Sequence, residues 1–103
     1  DVSRVGLYGL TYKENVDDVR ASPTLQMLEQ MERNLAYGIK VYDPWVKRDL
    51  VANQYHDFDR FLEDVDMVVV MVGHQQLREN LSSLRGKVVL DTRSLNIQNS
   101  YLL

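Results

Sequence analysis

The run from Met67 to Val72 constrains the fold most, because it is apolar without interruption and rich in β-branched residues. Central parallel strands are covered on both faces and are apolar throughout, whereas strands with one solvent-exposed face alternate apolar and polar residues. Other apolar runs along the chain alternate with helix-like segments. This alternation predicts parallel strands joined by right-handed crossovers, which is an α/β fold.

We expect a Rossmann-like three-layer domain with a mostly parallel sheet, order 3-2-1-4-5. The strands are predicted at about residues 4–9, 39–42, 54–55, 67–72 and 87–90. In such a sheet the ligand crevice lies between the first and fourth strands, at their carboxyl ends. Three loops would meet there, and together they carry Lys13, Arg20, His74 and Arg93. These loops are residues 10–21, 73–76 and 92–94.

Helix signals lie between the predicted strands. Ser22 is a favoured N-cap, Pro23 suits the first helical position, and Gly38 is predicted to end this helix. Its buried stripe is formed by apolar residues at near-helical spacing, namely Leu25, Leu28, Met31 and Leu35. Shorter helices are predicted at about residues 46–53, at Asp59 to Glu63, and at Gln75 to Leu84 with a break around Ser82-Ser83. The tail from Ser94 to Leu103 shows no clear period.

The composition of the chain argues against several classes of function. The 103 residues suffice for one core, so we expect a single domain over residues 1–103. The formal net charge of −3 gives no basic footprint for nucleic acid. No apolar stretch approaches the roughly 18 residues of a membrane span, so we expect no membrane partner. The chain has no cysteine, which excludes disulfides, thiolate metal sites and a cysteine nucleophile. Because Asp1 leads almost directly into a strand, we expect a piece of a longer protein.

The segment GLTYKENVDDVRASP, residues 9–23, carries the strongest functional signal. It follows the first predicted strand at its carboxyl end, where ligands bind in open α/β sheets. Lys13 and Arg20 supply two cations to this polar loop. The arrangement predicts an anionic ligand.

The same region lacks the dinucleotide fingerprint. The first two glycines of G-x-G-x-x-G lie two positions apart, whereas Gly6 and Gly9 lie three apart and the third glycine is missing. We therefore expect no NAD binding by this chain. Asp43 is interpreted as a turn residue before Pro44 rather than as a ribose ligand.

These motifs resemble a known family. Segment 9–23 is similar to the opening motif of the C-terminal domain of UDP-glucose/GDP-mannose dehydrogenases, G-(L/F)-x-(F/Y)-K-x-x-x-x-D-x-R-x-S-P. The matching residues are Gly9, Leu10, Tyr12, Lys13, Asp18, Arg20, Ser22 and Pro23. Two later pieces agree in order and spacing, Val41-Tyr42-Asp43-Pro44 and Leu90-Asp91-Thr92-Arg93. The resemblance covers nearly the whole chain and is greatest to members that oxidise UDP-N-acetylmannosamine or related UDP-amino sugars.

The resemblance implies which residues bind a UDP-sugar. The family lysine that matches Lys13 binds it, Tyr12 occupies an aromatic position that contacts it, and the arginine matching Arg93 reaches it from this domain. An ammonium acts as a point charge on phosphate, and a guanidinium can bind a diphosphate through two parallel hydrogen bonds. The alternatives are a solvated lysine, an aromatic packed on the core, and a salt bridge from Arg93 to Asp91 or a neighbouring acid.

Asp18, Arg20 and His74 are interpreted as supporting residues. Asp18 and Arg20 either pair, with each other or with the next helix, and fix the shape of the loop, or they contact the ligand directly. His74 follows the most apolar strand and is expected to orient a loop, since a general base would need a visible reaction partner. No spacing of His56 with carboxylates completes a metal site, so we expect no metal. Trp45 is left open, as a partner-facing aromatic or a lid on the second helix.

By resemblance, the longer protein is an NAD-dependent nucleotide-sugar 6-dehydrogenase that oxidises the C6 alcohol of a UDP-sugar to a uronate by two hydride transfers. NAD and the catalytic cysteine would belong to the missing N-terminal domain. We therefore assign no catalytic or cofactor-binding residue here, and the chain alone should be inactive. Family members usually form homodimers through a central helical segment, and we expect a cytoplasmic protein.

Two other classes of function stay open at this point. The chain could be a stand-alone Rossmann-like regulatory module that binds another anion or nucleotide through Lys13 and Arg20. It could also be an interaction element that contributes little affinity of its own to a longer protein.

Overall fold

The computed structural model describes residues 2–20, 22–33, 38–93 and 101–102. Within these residues the strands are β1 (Val5–Tyr8), β2 (Lys40–Tyr42), β3 (Gln54–Tyr55), β4 (Met67–Val70), β5 (Val88–Asp91) and β6 (Tyr101–Leu102). They form one sheet in the order β3-β2-β1-β4-β5-β6, and every neighbouring pair is parallel. The predicted order 3-2-1-4-5 is confirmed, and β6 extends the sheet beyond β5.

The sixth strand lies in the tail, where the sequence shows no period. β6 pairs with β5 through Leu90 with Tyr101 and Asp91 with Leu102. A pair of residues is too short to display the two-residue alternation by which a strand is recognised in sequence. Residues 94–100 and 103 of this tail lie outside the described part of the chain.

The two central strands, β1 and β4, bury side chains on both faces of the sheet. Leu7 and Val69 belong to one apolar cluster. Tyr8 and Val68, their neighbours in sequence, belong to the other. Successive strand residues point to opposite faces, so both faces of the sheet are covered, as the apolar run predicts.

Helices form the two outer layers. On one face lies α1 (Pro23–Arg33), whose Leu25 and Leu28 pack against the cluster of Leu7. On the other face lie α2 (Phe58–Glu63) and α3 (Gln75–Glu79), which bury Phe61 and Leu77 in the cluster of Tyr8. The predicted three-layer architecture follows from these two packings.

The start of α1 is set by the residues that the sequence indicates. The hydroxyl oxygen of Ser22 accepts a hydrogen bond from the backbone N–H of Leu25 at 3.2 Å, so Ser22 is the N-cap. Gly38 has a φ of 97°, a left-handed conformation. Residues 34–37, between Arg33 and this glycine, lie outside the described residues, so the helix end predicted at Gly38 stays a prediction. The side chain of Met31 and all of Leu35, both predicted in the buried stripe, lie outside the described residues.

The shorter helices differ from the prediction mainly at their ends. Asp57 caps α2, since its carboxylate accepts from the backbone N–H groups of Asp59 and Arg60. The predicted break after α3 falls at Asn80 rather than at Ser82-Ser83, and a 3-10 turn follows over Leu81–Leu84. The side-chain amide of Asn80 donates to the carbonyl of Gln76 at 2.7 Å and so ends the helix.

The predicted helix over residues 46–53 is wrong. This segment is irregular, and the side chain of Gln54 takes the place of helical hydrogen bonds. Its carbonyl oxygen accepts from the N–H groups of Leu50 and Val51, and its amide donates to the carbonyl of Arg48. Asn53 has a φ of 60°, which turns the chain into β3 instead of continuing a helix.

Candidate functional site at the carboxyl edge of the sheet

The loop after β1 begins with a close contact between Gly9 and the chain just after β4. The backbone N–H of Gly9 donates to the carbonyl of Tyr42, and that of Met71 donates to the carbonyl of Tyr8. Gly9 has a φ of 111°, and a Cβ at this position would lie 2.7 Å from the backbone nitrogen of Val72. Only glycine fits both the conformation and the space.

Asp43 fixes the first residues of this loop. Its side chain is buried, and Oδ2 accepts hydrogen bonds from the backbone N–H groups of Leu10 at 2.6 Å and Thr11 at 3.2 Å. Oδ1 accepts from the N–H of Trp45 at 2.7 Å, which is the turn role that the sequence predicts for Asp43. The contacts to Leu10 and Thr11 are a further role that the sequence reasoning missed. The sequence feature that could have indicated this role is the position of Asp43 directly after β2, the strand that neighbours β1.

His74 lies at the centre of the edge and has no exposed surface. Its Nε2 is 2.8 Å from Oδ2 of Asp43 and 3.3 Å from Oγ1 of Thr11. Its Nδ1 accepts a hydrogen bond from the backbone N–H of Asn15 at 2.8 Å. His74 therefore connects the end of β2 and the loop after β4 to the loop after β1.

Two opposing effects set the protonation of Asp43. Burial is the largest single cause, and it raises the pKa of Asp43. The hydrogen bond from His74 and those from the backbone N–H groups of Leu10 and Trp45 lower it. The hydrogen bonds together prevail, so the pKa of Asp43 lies below its ordinary value of 3.8.

Tyr12 and Lys13 project from the loop into solvent. Tyr12 is 42% exposed, and the ammonium of Lys13 lies 5.7 Å from the centre of the Tyr12 ring. Such a contact between a cation and an aromatic face is weakly attractive at the surface. The hydroxyl of Thr11 donates to the carbonyl of Lys13, and the N–H of Tyr12 donates to the carbonyl of Asp18. Hydrogen bonds between residues of the loop itself therefore help to hold its shape.

Asp18 and Arg20 pair with each other. Nε and Nη2 of Arg20 donate to the Asp18 carboxylate at 3.0 and 2.7 Å, and the backbone N–H of Arg20 donates to Oδ1 at 2.9 Å. The side-chain bond to Arg20 is the main cause that lowers the pKa of Asp18 to about 2. The Arg20 side chain is nevertheless 90% exposed.

Arg93 follows β5 on the other side of β4. Its backbone N–H donates to Oδ1 of Asp91 at 2.8 Å, and its Nε donates to the carbonyl of Met71 at 2.6 Å. Hydrogen bonds therefore tie both the loop of Lys13 and the loop of Arg93 to the end of β4. The predicted loop extends to residue 94, which lies outside the described residues.

An open cleft of about 780 Å³ adjoins this edge. Trp45, which is 46% exposed, lines it. The other lining residues are Asn15, Pro44, Lys47, Gln75, Gln76, Glu79 and Asn80. Trp45 thus faces an open cleft beside the candidate loop.

Comparison with known proteins decides the family. The UDP binding domain of the UDP-glucose/GDP-mannose dehydrogenase family matches residues 6–98. The chain belongs to this family. The matched stretch of the UDP binding domain includes Tyr12, Lys13, Asp43, His74 and Arg93.

Curated relatives from the family are nucleotide-sugar dehydrogenases. The NDP-N-acetyl-D-galactosaminuronic acid dehydrogenase of Ralstonia nicotianae is 30% identical in an alignment of 95 positions, gaps included, which covers 88% of this chain and 22% of that protein. The UDP-N-acetyl-D-mannosamine dehydrogenase of Methanocaldococcus jannaschii is 28% identical in an alignment of 103 positions, gaps included, which covers 92% of this chain and 23% of that protein. The chain therefore spans about a quarter of the length of these relatives.

Solved structures from the family share the fold. The UDP-N-acetyl-mannosamine dehydrogenase of Staphylococcus aureus is 28% identical, with a TM-score of 0.75 over 96% of this chain and 26% of that one. The UDP-glucose dehydrogenase of Pyrobaculum islandicum is 25% identical, with a TM-score of 0.76 over 95% of this chain and 24% of that one.

Two further features of the described residues bear on the type of site. They contain no group of three or more His, Asp or Glu residues that could hold a metal ion. The part of the chain that the structure describes also has no helix long and apolar enough to cross a membrane.

Proposed function

We propose that this chain binds the UDP portion of a nucleotide sugar. The observation that carries the proposal is the placement of Lys13 and Tyr12. They are exposed at the carboxyl edge of a parallel sheet, within the stretch that matches a UDP binding domain. Ligands of open α/β sheets bind at this edge.

Lys13 supplies positive charge to the diphosphate. Its ammonium lies over the ring of Tyr12, which keeps the charge close to the loop backbone. An ammonium on a flexible stem acts as a point charge toward phosphate oxygens. Tyr12 contributes a flat, half-exposed surface to the same ligand.

Arg93 completes the contact to the diphosphate from β5. Its Nε–H is bonded to the carbonyl of Met71, which fixes the plane of the guanidinium near the end of β4. The N–H groups on its terminal nitrogens can form parallel hydrogen bonds with phosphate oxygens. In this proposal Asp18, Arg20 and His74 hold the loop in shape rather than bind the ligand.

We further propose that the chain is part of a longer NAD-dependent UDP-sugar 6-dehydrogenase. Both curated relatives described above are dehydrogenases of N-acetylated sugar nucleotides, which favours an N-acetylated UDP-amino sugar as the substrate. The C6 alcohol would be oxidised to a uronate by two hydride transfers, with a cysteine from outside this chain. We propose in addition that the longer protein is cytoplasmic and homodimeric, as the family resemblance implies.

NAD does not fit the residues of this chain. The spacing of Gly6 and Gly9 departs from the dinucleotide fingerprint, and a long loop separates Gly9 from the first helix at Pro23. NAD would therefore bind to another domain. The role of this chain would be to hold the non-reacting UDP portion, whose binding energy can serve catalysis at the sugar.

Calorimetric titration of the 103-residue chain with UDP and with inorganic pyrophosphate tests the binding proposal. We expect UDP to bind at least about tenfold more tightly, about 1.4 kcal/mol, because the uridine adds contacts that pyrophosphate lacks. Equal affinities would instead indicate a general anion-binding module. Absence of binding at millimolar UDP would contradict the proposal for this chain.

A further inference from the structure

We propose that His74 is a positioning residue, which holds the segment Thr11–Asn15 in the conformation that presents Tyr12 and Lys13 to the diphosphate. The inference rests on the proposed function, since it explains how that binding loop is kept in place. It assigns to His74 no contact with the ligand.

The contacts of the ring determine its tautomer. A backbone N–H can only donate, so Nδ1 of His74, which lies 2.8 Å from the nitrogen of Asn15, must carry no hydrogen. A carboxylate can only accept, so Nε2, which lies 2.8 Å from Oδ2 of Asp43, must carry the hydrogen. A neutral imidazole with its proton on Nε2 satisfies both bonds at once.

Asn15 is held at two points, by the end of the loop after β4 and by the first residue of α3. Besides the bond from its backbone N–H to His74, its side-chain carbonyl accepts from the backbone N–H of Gln75 at 2.9 Å. Asn15 has a φ of 58°, a left-handed conformation that asparagine tolerates better than most residues. The conformation of Asn15 is therefore stabilised by a part of the chain about 60 residues away in sequence.

The same buried pair holds both ends of the segment. Asp43 binds the N–H of Thr11 at its start and that of Leu10 just before it, while His74 binds its end at Asn15. Tyr12 and Lys13 lie between the two anchors. A loop that is ordered before the ligand arrives loses less conformational entropy on binding, and its affinity is correspondingly higher.

The first test reads the tautomer of His74 without any ligand. A two-dimensional ¹H–¹⁵N spectrum of the imidazole rings of the ¹⁵N-labelled chain distinguishes a bare nitrogen from a protonated one. We expect the bare nitrogen of His74 to be Nδ1, with the exposed His56 as a reference in the same spectrum. A proton on Nδ1 would overturn the inference, because that nitrogen could not then accept from Asn15.

Hydrogen exchange gives a second ligand-free readout. We expect the backbone amide of Asn15 to exchange at least about tenfold more slowly than that of Glu14, because it is bonded to a buried ring although Asn15 itself is exposed. Equal exchange rates, after correction for neighbouring residues, would show that His74 does not hold this amide.

Variants of His74 test whether its hydrogen bonds to Asn15 and Asp43 contribute to the affinity for UDP. His74→Leu fills much of the space but removes both hydrogen bonds, whereas His74→Asn keeps a side-chain oxygen that can accept from Asn15. We expect UDP affinity to fall by about tenfold or more in His74→Leu and to be partly restored in His74→Asn. Equal UDP affinity of His74→Leu and the wild type would overturn the positioning role.

The outcomes separate this inference from the proposed function. If the wild-type chain does not bind UDP, the proposed function fails and the binding role of His74 fails with it. The tautomer and exchange data still test whether His74 accepts the hydrogen bond from Asn15. If the wild type binds UDP but the tautomer or the variants disagree, only the positioning role is overturned. Thermal melting identifies any variant that does not fold. If a variant does not fold, the tautomer and the exchange rates measured on the wild-type chain determine whether the positioning role stands.

Discussion

The carboxylate of Asp43 and the imidazole of His74 lie 2.8 Å apart, and neither side chain is exposed to solvent. This pair joins the end of β2 to the loop after β4 and, through Leu10 and Asn15, to both ends of the segment that carries Lys13. A polar pair at this depth is stable because every contact is a hydrogen bond between a donor and an acceptor.

Asp43→Asn should destabilise the fold. The substitution places an amide NH₂ group where the carboxylate accepts from backbone N–H groups and from His74, so at least one buried donor would lose its partner. We expect a loss of roughly 1–3 kcal/mol in the free energy of unfolding, measured by urea denaturation. Asp49→Asn is the matched control, because Asp49 also pairs with a histidine, His56, but at the surface. A loss no larger than that of the control would contradict the anchoring role of Asp43.

The contribution of Asp43 to stability should depend on pH below its ordinary pKa. The pKa of Asp43 is lowered in the folded state, so the ionised form is favoured by folding. Its contribution is therefore complete above 3.8 and is lost as the pH falls through the folded-state pKa. We expect the difference in unfolding free energy between the wild type and Asp43→Asn to shrink below pH 3.8. A difference that stays constant from neutral to acid pH would argue against this linkage.

Gly9→Ala should destabilise the fold more than Gly86→Ala. Both glycines have positive φ, 111° and 84°, so both substitutions strain the backbone. The new Cβ at position 9 would also lie 2.7 Å from the backbone nitrogen of Val72, whereas nothing lies within 4 Å at position 86. We expect Gly9→Ala to cost about 1–3 kcal/mol beyond the control in urea unfolding. Equal losses would mean that the close contact between position 9 and Val72 adapts to a methyl group.

Lys13→Glu should weaken the binding of UDP. The substitution places a negative charge at the position that we propose to neutralise the diphosphate, and we expect the dissociation constant to rise about tenfold or more. Arg85→Glu is the control, since it reverses the charge of an exposed residue that precedes β5, at the opposite edge of the sheet. Calorimetry with UDP measures both. Equal weakening in the two variants would indicate only the effect of net charge.

The sequence carries enough information to predict the strand order 3-2-1-4-5, because Met67 to Val70 is apolar on both faces and must lie at the centre. It also marks the loop of Lys13, because two cations follow an apolar strand. Local sequence patterns, however, do not show which distant polar groups meet. Asp43 and His74 are 31 residues apart, and only the parallel sheet brings them together.

The region after Asp43 shows the same limitation on a smaller scale. Residues 46–53 are acceptable in a helix, but the side chain of Gln54 binds the backbone of Leu50 and Val51 and favours an irregular turn. A competing side-chain hydrogen bond of this kind depends on the geometry of the turn, and residue propensities do not include it.

A two-dimensional NMR titration of the chain with UDP, and separately with NAD, tests the central claim most directly. We predict that UDP shifts the backbone signals of Tyr12, Lys13 and Arg93 and that NAD shifts none of them. A stronger response to NAD than to UDP, or shifts centred on Gly6 when NAD is added, would contradict the account and favour dinucleotide binding at this edge.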